Sequence, residues 1–367
     1  MKGIVTTVRI ITGALFIFSG LVKAIDPRGL AYKMQEFFEA FANDGFLPGM
    51  MHSLRDHALT FSVIIITLEV IIGLAILLGW KRKFSLILLL LLIILFTFLT
   101  SYVLFSGKIR ACGCFGDCIP ITPVQTFAKD IILLLFALFL FWKRRFIYPV
   151  AKPLVLAIYL VLATLLTLWL QFHVMKNLPV VDCLPFKKGN NILELRKMPA
   201  NAIPDKYDYT FVYEKDGVKK EFPASDLPDE TWNFVDRKQV LVQKGSNNIP
   251  LINDFSLVGE DGTDLTDSIM NSDSDYYLLF LEMPANNADK WLKDLQKADQ
   301  NIPFYVVTSR FDATEKFVSS KGLKATRILT CDATAIKTAA RSNPALYKMK
   351  GPIVQYKWGW ADFENLK

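Results

Sequence analysis

Five apolar runs dominate the first half of the chain, at residues 4–24, 59–80, 84–105, 127–142 and 154–172. Each approaches the ~20 residues an α-helix needs to cross a hydrocarbon core, and together they predict five membrane spans. The fourth run is the shortest, but Thr122-Pro123 before it supplies an N-cap and a first-turn proline that extend the helix backwards. After the fifth run the pattern changes to short alternating segments. Residues 209–213 and 218–222 alternate around Asp216-Gly217 and predict a hairpin, with a further strand at 239–243. Strands at 276–282, 302–308 and 327–330 then alternate with helices at 288–298, 314–321 and 333–340, and strands at 345–349 and 353–358 close the chain around Gly351. Such alternation predicts an α/β sheet.

Charge supports the same division. Up to His173 the chain has 16 basic and 8 acidic residues, and beyond it 26 basic and 27 acidic, so the overall +7 belongs to the membrane half. It concentrates in the turns 81–83 and 143–145 and at Lys152, which the positive-inside bias assigns to the cytoplasm. The N-terminus is then cytoplasmic, whereas the loop 35–57, the loop before the fourth span and the whole second half lie outside. The basic balance therefore carries no sign of nucleic-acid binding. Val22-Lys23-Ala24 offers a signal-like cleavage spacing, but the apolar stretch exceeds a signal core, so an uncleaved first span is expected.

Charge inside a span is expensive and marks a partner or a cavity. Glu69 sits near the middle of the second span, Lys23 and Asp26 at the outer end of the first, and Arg9 a third of the way in from the cytoplasmic side. Two readings stand: a proton or ligand site centred on Glu69, or a carboxyl that only fixes packing, protonated or paired with Arg9 or Lys23.

Three of the five cysteines, Cys112, Cys114 and Cys118, fall within seven positions of the second outer loop, and Cys183 follows the last span closely. Outside the cytoplasm disulfides are permitted. Zinc is the rival for four thiols, but this spacing imitates the paired knuckles of zinc sites poorly, and no metal is expected.

The motifs resemble a known family. Phe18-Ser19-Gly20-Leu21-Val22-Lys23-Ala24-Ile25-Asp26-Pro27, Leu68-Glu69-Val70-Ile71-Ile72-Gly73, Cys112-Gly113-Cys114-Phe115-Gly116-Asp117 and Thr126-Phe127-Ala128-Lys129-Asp130 occur in the order seen in DoxX and MauE-like bacterial membrane proteins. The resemblance implies a four-helix membrane core over 1–148 in the bacterial inner membrane, a fifth span over 149–175, a linker and small β-rich module over 176–245, and an appended domain over 246–367. MauE-like proteins are associated with maturation of disulfide-containing periplasmic proteins, and their bundle is similar in outline to that of vitamin K epoxide reductase and its quinone-coupled relatives. Because Cys-Gly-Cys is the recurring part of the family loop, Cys118 and Cys183 look like an added structural disulfide, which leaves Cys112 and Cys114 as a close pair. A disulfide across one residue closes a strained, reducible ring that Gly113 could tolerate, and Arg110 beside it could favour a thiolate. The alternative is that all four cysteines are staples. The quinone-coupled enzymes use a second cysteine pair in a helix, and no span here contains one.

The second half resembles TlpA-like thioredoxin domains, with residues 249–257 as the opening strand and Asn343-Pro344, expected to face a partner, at the place of the family's cis-proline. Where that family carries Cys-x-x-Cys this chain has Glu282-Met283-Pro284-Ala285-Asn286-Asn287. The domain is therefore expected to grip a partner or cover the cysteine loop without oxidoreductase activity of its own. Cys331 reads as a half-buried free thiol. His52, His57 and His173 form no cluster, and no phosphate loop, Ser-His-Asp series or paired-carboxylate motif is present. Sequence thus predicts a bilayer-embedded protein with outward-facing cysteines that meets an envelope protein in thiol–disulfide exchange, with Cys112 and Cys114 as the reacting pair. The competing expectation is a non-enzymatic scaffold of a membrane complex, and either form admits a quinone or lipid near Glu69.

Overall fold

The computed structural model describes residues 1–109, 112–243, 245–282, 288–298 and 301–366. The first half is helical, with α1 Lys2–Ala24, α2 Pro27–Asn43, α3 Pro48–Asp56, α4 Ala58–Leu78, α5 Arg82–Ser106, α6 Pro123–Trp142 and α7 Pro153–Asn177. Of these α1, α4, α5, α6 and α7 are long and apolar enough to cross a membrane, and each coincides with a predicted span. Their outward surfaces stay apolar, as at Leu91, Phe98, Leu135 and Leu166, which lipid contact favours. The backbones of α1 and α4 approach closely because glycines face each other: a Cβ on Gly13 would stand 2.8 Å from the Gly73 carbonyl, and one on Gly73 equally close to that of Gly13. Small residues at such a crossing let van der Waals packing hold membrane helices together.

The loop expected at 35–57 is instead largely helical. Asp26 caps α2 by accepting from the Gly29 amide at 3.0 Å, and Pro27 occupies the first turn. Phe37 and Phe41 on one face of α2 pack against α5, their rings 6.4 and 4.8 Å from that of Tyr102. A search for fully apolar runs passes over such a helix, since only one stripe is apolar. At the opposite end of the bundle, Arg82 donates to the Ile147 carbonyl and Arg9 to that of Tyr148. The basic turns therefore tie the helix ends together there.

After α8 (Ile192–Leu195), strands β1 Lys206–Lys215, β2 Val218–Pro223 and β3 Asn233–Gln243 form a small antiparallel sheet in the order β2-β1-β3. The remainder comprises α9 Thr266–Met270, β4 Asp275–Phe280, α10 Ala288–Leu295, β5 Phe304–Thr308, α11 Phe311–Lys321, β6 Arg327–Thr330, α12 Ala333–Ala339, β7 Ala345–Lys350 and β8 Ile353–Gly359. These strands form one sheet in the order β6-β5-β4-β7-β8, with β4, β5 and β6 parallel and β7 and β8 antiparallel. That is the α/β order the sequence pattern predicts, with both faces covered. Along β4, Tyr276, Leu278 and Phe280 enter one core and Tyr277 and Leu279 the other.

The opening strand expected at 249–257 is not formed. Asp254 turns the chain with a φ of 55°, and only Val258 bridges Thr330 and Asp264. The Asn343–Pro344 peptide bond is cis.

Candidate functional site at the domain junction

The cysteine loop lies at the end of the bundle that carries the α/β domain. Cys118 and Cys183 form a disulfide with Cα atoms 4.9 Å apart, which ties the exit of α7 to the loop. Cys112, Cys114 and Cys331 are free and buried. With two cysteines committed to the disulfide, the loop retains two thiols, fewer than a four-cysteine zinc site requires.

The sulfurs of Cys112 and Cys114 stand 3.3 Å apart. Gly113 between them adopts a φ of +71°, and a Cβ there would lie 3.2 Å from Cγ of Lys33 on α2. Glycine alone meets both demands without strain. Cys112 and Cys114 both pack with Phe37, Val103 and Ile109, so α2 and α5 close over the pair. When Cys114 ionises, the Cys112 thiol can donate to it across this contact. This draws Cys114 below the ordinary thiol range, against burial, with the Lys129 charge acting in the same direction. The same bond, together with burial, holds Cys112 well above that range. Arg110, whose charge was expected to help, lies outside the described residues.

Beneath the loop the polar residues of the spans converge. Lys23 donates to both oxygens of Glu69 at 2.8 and 2.7 Å and to Ser19 Oγ at 3.0 Å, and Ser19 donates to the Cys114 carbonyl at 3.0 Å. Glu69 therefore pairs with Lys23, while Arg9 is engaged at the far end of the bundle. Lys129 lies 2.9 Å from Asp130, whose other oxygen accepts from Thr100 at 3.1 Å. The Lys129 ammonium also sits 4.7 Å from the ring centre of Phe115, a cation–π contact. A cavity of about 20 Å³ joins Lys23, Glu69, Cys114, Phe115, Lys129 and Asp130. It has room for roughly one water molecule. A quinone ring is larger than this space. A larger cavity of about 340 Å³ lies at the far edge of the α/β sheet between Tyr276, Tyr305 and Arg327 and contains no thiol.

The α/β domain docks on this end through residues that sequence did not single out. Arg341, 6 % exposed, donates from Nε to Asp26 at 2.9 Å, from Nη2 to Asp117 of the cysteine loop at 2.7 Å, and from Nη1 to the Lys337 carbonyl at 2.6 Å. Burial alone would weaken the guanidinium's hold on its proton, but Asp26 and Asp117 more than offset it and raise its pKa. Tyr32 of α2 donates to Glu282 at 3.2 Å, and Lys337 donates to Gln35 at 3.0 Å. Burial and the neighbouring Glu282 push the Tyr32 hydroxyl up to about 12. Ser342 donates to the Lys176 carbonyl at the end of α7. Pro344 is buried, and Asn343 accepts from the Glu282 amide at 3.1 Å. The segment just before the cis-proline therefore engages the chain's own membrane half. Of the six residues standing where Cys-x-x-Cys was sought, Glu282 is described, and Met283 to Asn287 lie outside the described residues. Gly116, the remaining glycine of the loop motif, turns the chain with a φ of +59°.

Five membrane helices, an α/β domain seated on one end and a buried dithiol at the junction define a membrane-anchored thiol protein. Residues 1–143 match the family model described as "Methylamine utilisation protein MauE", as the four motifs implied, and residues 207–244 match a domain of unknown function. A relative, "Protein TlpB" of Flavobacterium psychrophilum, is 27 % identical over 231 residues, 59 % of this chain and 57 % of that protein. This chain thus spans less than two thirds of that relative. No solved structure matches the chain.

Proposed function

We propose that this is an inner-membrane protein of the DoxX/MauE type that takes part in thiol–disulfide exchange with envelope proteins, using Cys112 and Cys114. The carrying observation is the pair itself: two free, buried thiols 3.3 Å apart, one of which, Cys114, lines a small cavity with buried lysines and carboxylates. A staple needs no free thiols held side by side, whereas exchange needs one sulfur to attack and a second within reach of it. The N-terminus is cytoplasmic and the cysteine loop periplasmic. In support, the basic turns gather at the end of the bundle opposite the α/β domain. Residues 246–367 act as a thioredoxin-like cover that supplies contacts rather than thiols.

A scaffold without exchange activity is the second reading, favoured by the engagement of the segment before the cis-proline with Asp26, Asp117 and Lys176. Differential alkylation of membranes before and after mild reductant, with mass mapping of each cysteine, separates the two. Exchange requires Cys112 and Cys114 to interconvert between thiol and disulfide while Cys118 and Cys183 stay linked. If the first two never change state, or if replacing both leaves envelope disulfides unaltered, the scaffold reading stands.

A further inference from the structure

We propose that Cys114 is the sulfur that bonds to the partner, that Cys112 resolves the resulting mixed disulfide, and that Lys129, held by Asp130, is the positioning residue that stabilises the Cys114 thiolate. This assignment rests on the exchange reading above.

Two ammonium groups share the small cavity with Cys114, and they are not equivalent. A lysine ammonium has three donors. Those of Lys23 are committed to Glu69 Oε1, Glu69 Oε2 and Ser19 Oγ at 2.8, 2.7 and 3.0 Å. Lys129 has one carboxylate contact, to Asp130 at 2.9 Å, and otherwise rests on the face of Phe115, leaving donors for an anion that develops in the cavity. Asp130 is anchored in turn by Thr100 at 3.1 Å and is fully buried, so the lysine head is held in place. Both cysteines pack among the apolar side chains of α2 and α5, but of the two it is Cys114 that also lines the cavity.

The groups facing Cys114 are Cys112 of its own loop, Lys23 of α1 with its partner Glu69 of α4, and Lys129 and Asp130 of α6. Lys33 of α2, paired with Glu36 at 2.9 Å, lies across Gly113. Each lysine has a carboxylate partner, so this surround adds no net charge. Selectivity for Cys114 then comes from which ammonium retains directed donors. The lowered pKa of Cys114 agrees with this geometry.

The chemistry balances with a partner disulfide R–S–S–R′ as oxidant. The Cys114 thiolate attacks the sulfur bearing R; the mixed disulfide between Cys114 and that sulfur forms, the partner's S–S bond breaks, and R′S⁻ leaves with the electron pair and takes up the proton that Cys114 released. The Cys112 thiol, 3.3 Å away, gives up its proton and attacks Cys114 Sγ. The Cys112–Cys114 disulfide forms and RS⁻ leaves as the protonated thiol. The pair has lost two electrons and the partner has gained them; the reverse sequence inserts a disulfide into a dithiol partner.

The test uses the full chain in nanodiscs with bis(2-hydroxyethyl) disulfide as oxidant and iodoacetamide as alkylating probe, each site read by mass spectrometry. Cys112→Ser should accumulate the mixed disulfide on Cys114, and Cys114→Ser should form little on Cys112. Lys129→Met should move the pH midpoint of Cys114 alkylation upward, and the rate at pH 6 should fall about tenfold for every pH unit the midpoint rises, with Lys129→Arg restoring it. Intact Cys118–Cys183 linkage and protected Cys331 report that each variant is folded. Trapping on Cys112 rather than Cys114, or an unchanged Cys114 profile in folded Lys129→Met, overturns the assignment. The single-cysteine trapping decides it alone if Lys129→Met does not fold. If neither cysteine reacts in the native protein at any pH while both react once it is denatured, the exchange reading itself has failed.

Discussion

Replacing Arg341 with Met should open the domain junction and expose the dithiol. Removing one partner of a buried ion pair costs about 3–5 kcal/mol when the other charge is stranded. Neither carboxylate is fully stranded here. The Asp117 side chain is 43 % exposed and can rehydrate. Asp26, 15 % exposed, keeps the Gly29 amide. The loss also removes the bond to the Lys337 carbonyl, and Met fills most of the volume of the arginine stem. A cost of about 1.5–3 kcal/mol follows, which raises the undocked population roughly 10- to 150-fold. Because α2 both covers Gly113 through Lys33 and receives Arg341 through Asp26 at its N-cap, undocking should loosen that cover. The assay is the alkylation rate of Cys112 and Cys114 in nanodiscs at fixed pH, with Cys331 as an internal control of global folding. A rate in Arg341→Met within twofold of the native protein would refute the idea that this contact limits access. Arg341→Lys should fall between the two, because a single ammonium cannot span both carboxylates as the guanidinium fork does.

Lys23→Met leaves Glu69 buried without its partner and should lower stability by about 3–5 kcal/mol, whereas Lys23→Met with Glu69→Leu should recover much of the loss; thermal unfolding in detergent distinguishes the two variants. Cys331, held at about 12 by burial, should stay thiol and resist alkylation from pH 6 to 9 until the protein is denatured, whereas Cys114, with its lowered pKa, should keep reacting as the pH falls below the ordinary thiol range. The Cys118–Cys183 crosslink spans 65 residues, for which chain entropy alone suggests about 4 kcal/mol. The intervening α6 and α7 stay inserted in the unfolded ensemble and already bring both cysteines to one side, so Cys118→Ser with Cys183→Ser should cost well under that figure. Gly113→Val should destabilise the loop by at least about 1–2 kcal/mol, since a β-branched residue meets both the left-handed backbone and Lys33; its mark is faster alkylation of the pair.

Sequence by itself determined what local physics dictates. The spans were legible because a lipid core demands continuous apolar runs, and the basic turns because charge at helix ends biases insertion. The strands and helices of the second half were legible because side-chain period follows backbone geometry. The chemistry was legible as residue types: Cys112, Cys114, Lys23 and Glu69 stood out as polar or reactive groups, while Lys129 and Asp130 entered only through the motif that carries the family resemblance. Tertiary structure decided how they pair. Lys23 rather than Arg9 meets Glu69 because α1 and α4 cross where glycines let their backbones touch, and that crossing depends on three-dimensional packing rather than on either segment alone. The helix α2 escaped notice because a single apolar stripe is a weak signal beside five continuous runs. Arg341 escaped because a lone arginine before a proline carries no periodicity; only the docking of one half on the other brings it to Asp26 and Asp117, 315 and 224 positions away. The inequality of Cys112 and Cys114, one residue apart in the chain, is likewise a product of the fold. Both pack against the apolar side chains of α2 and α5, but of the two it is Cys114 that also lines the charged cavity, and no spacing along the sequence distinguishes them.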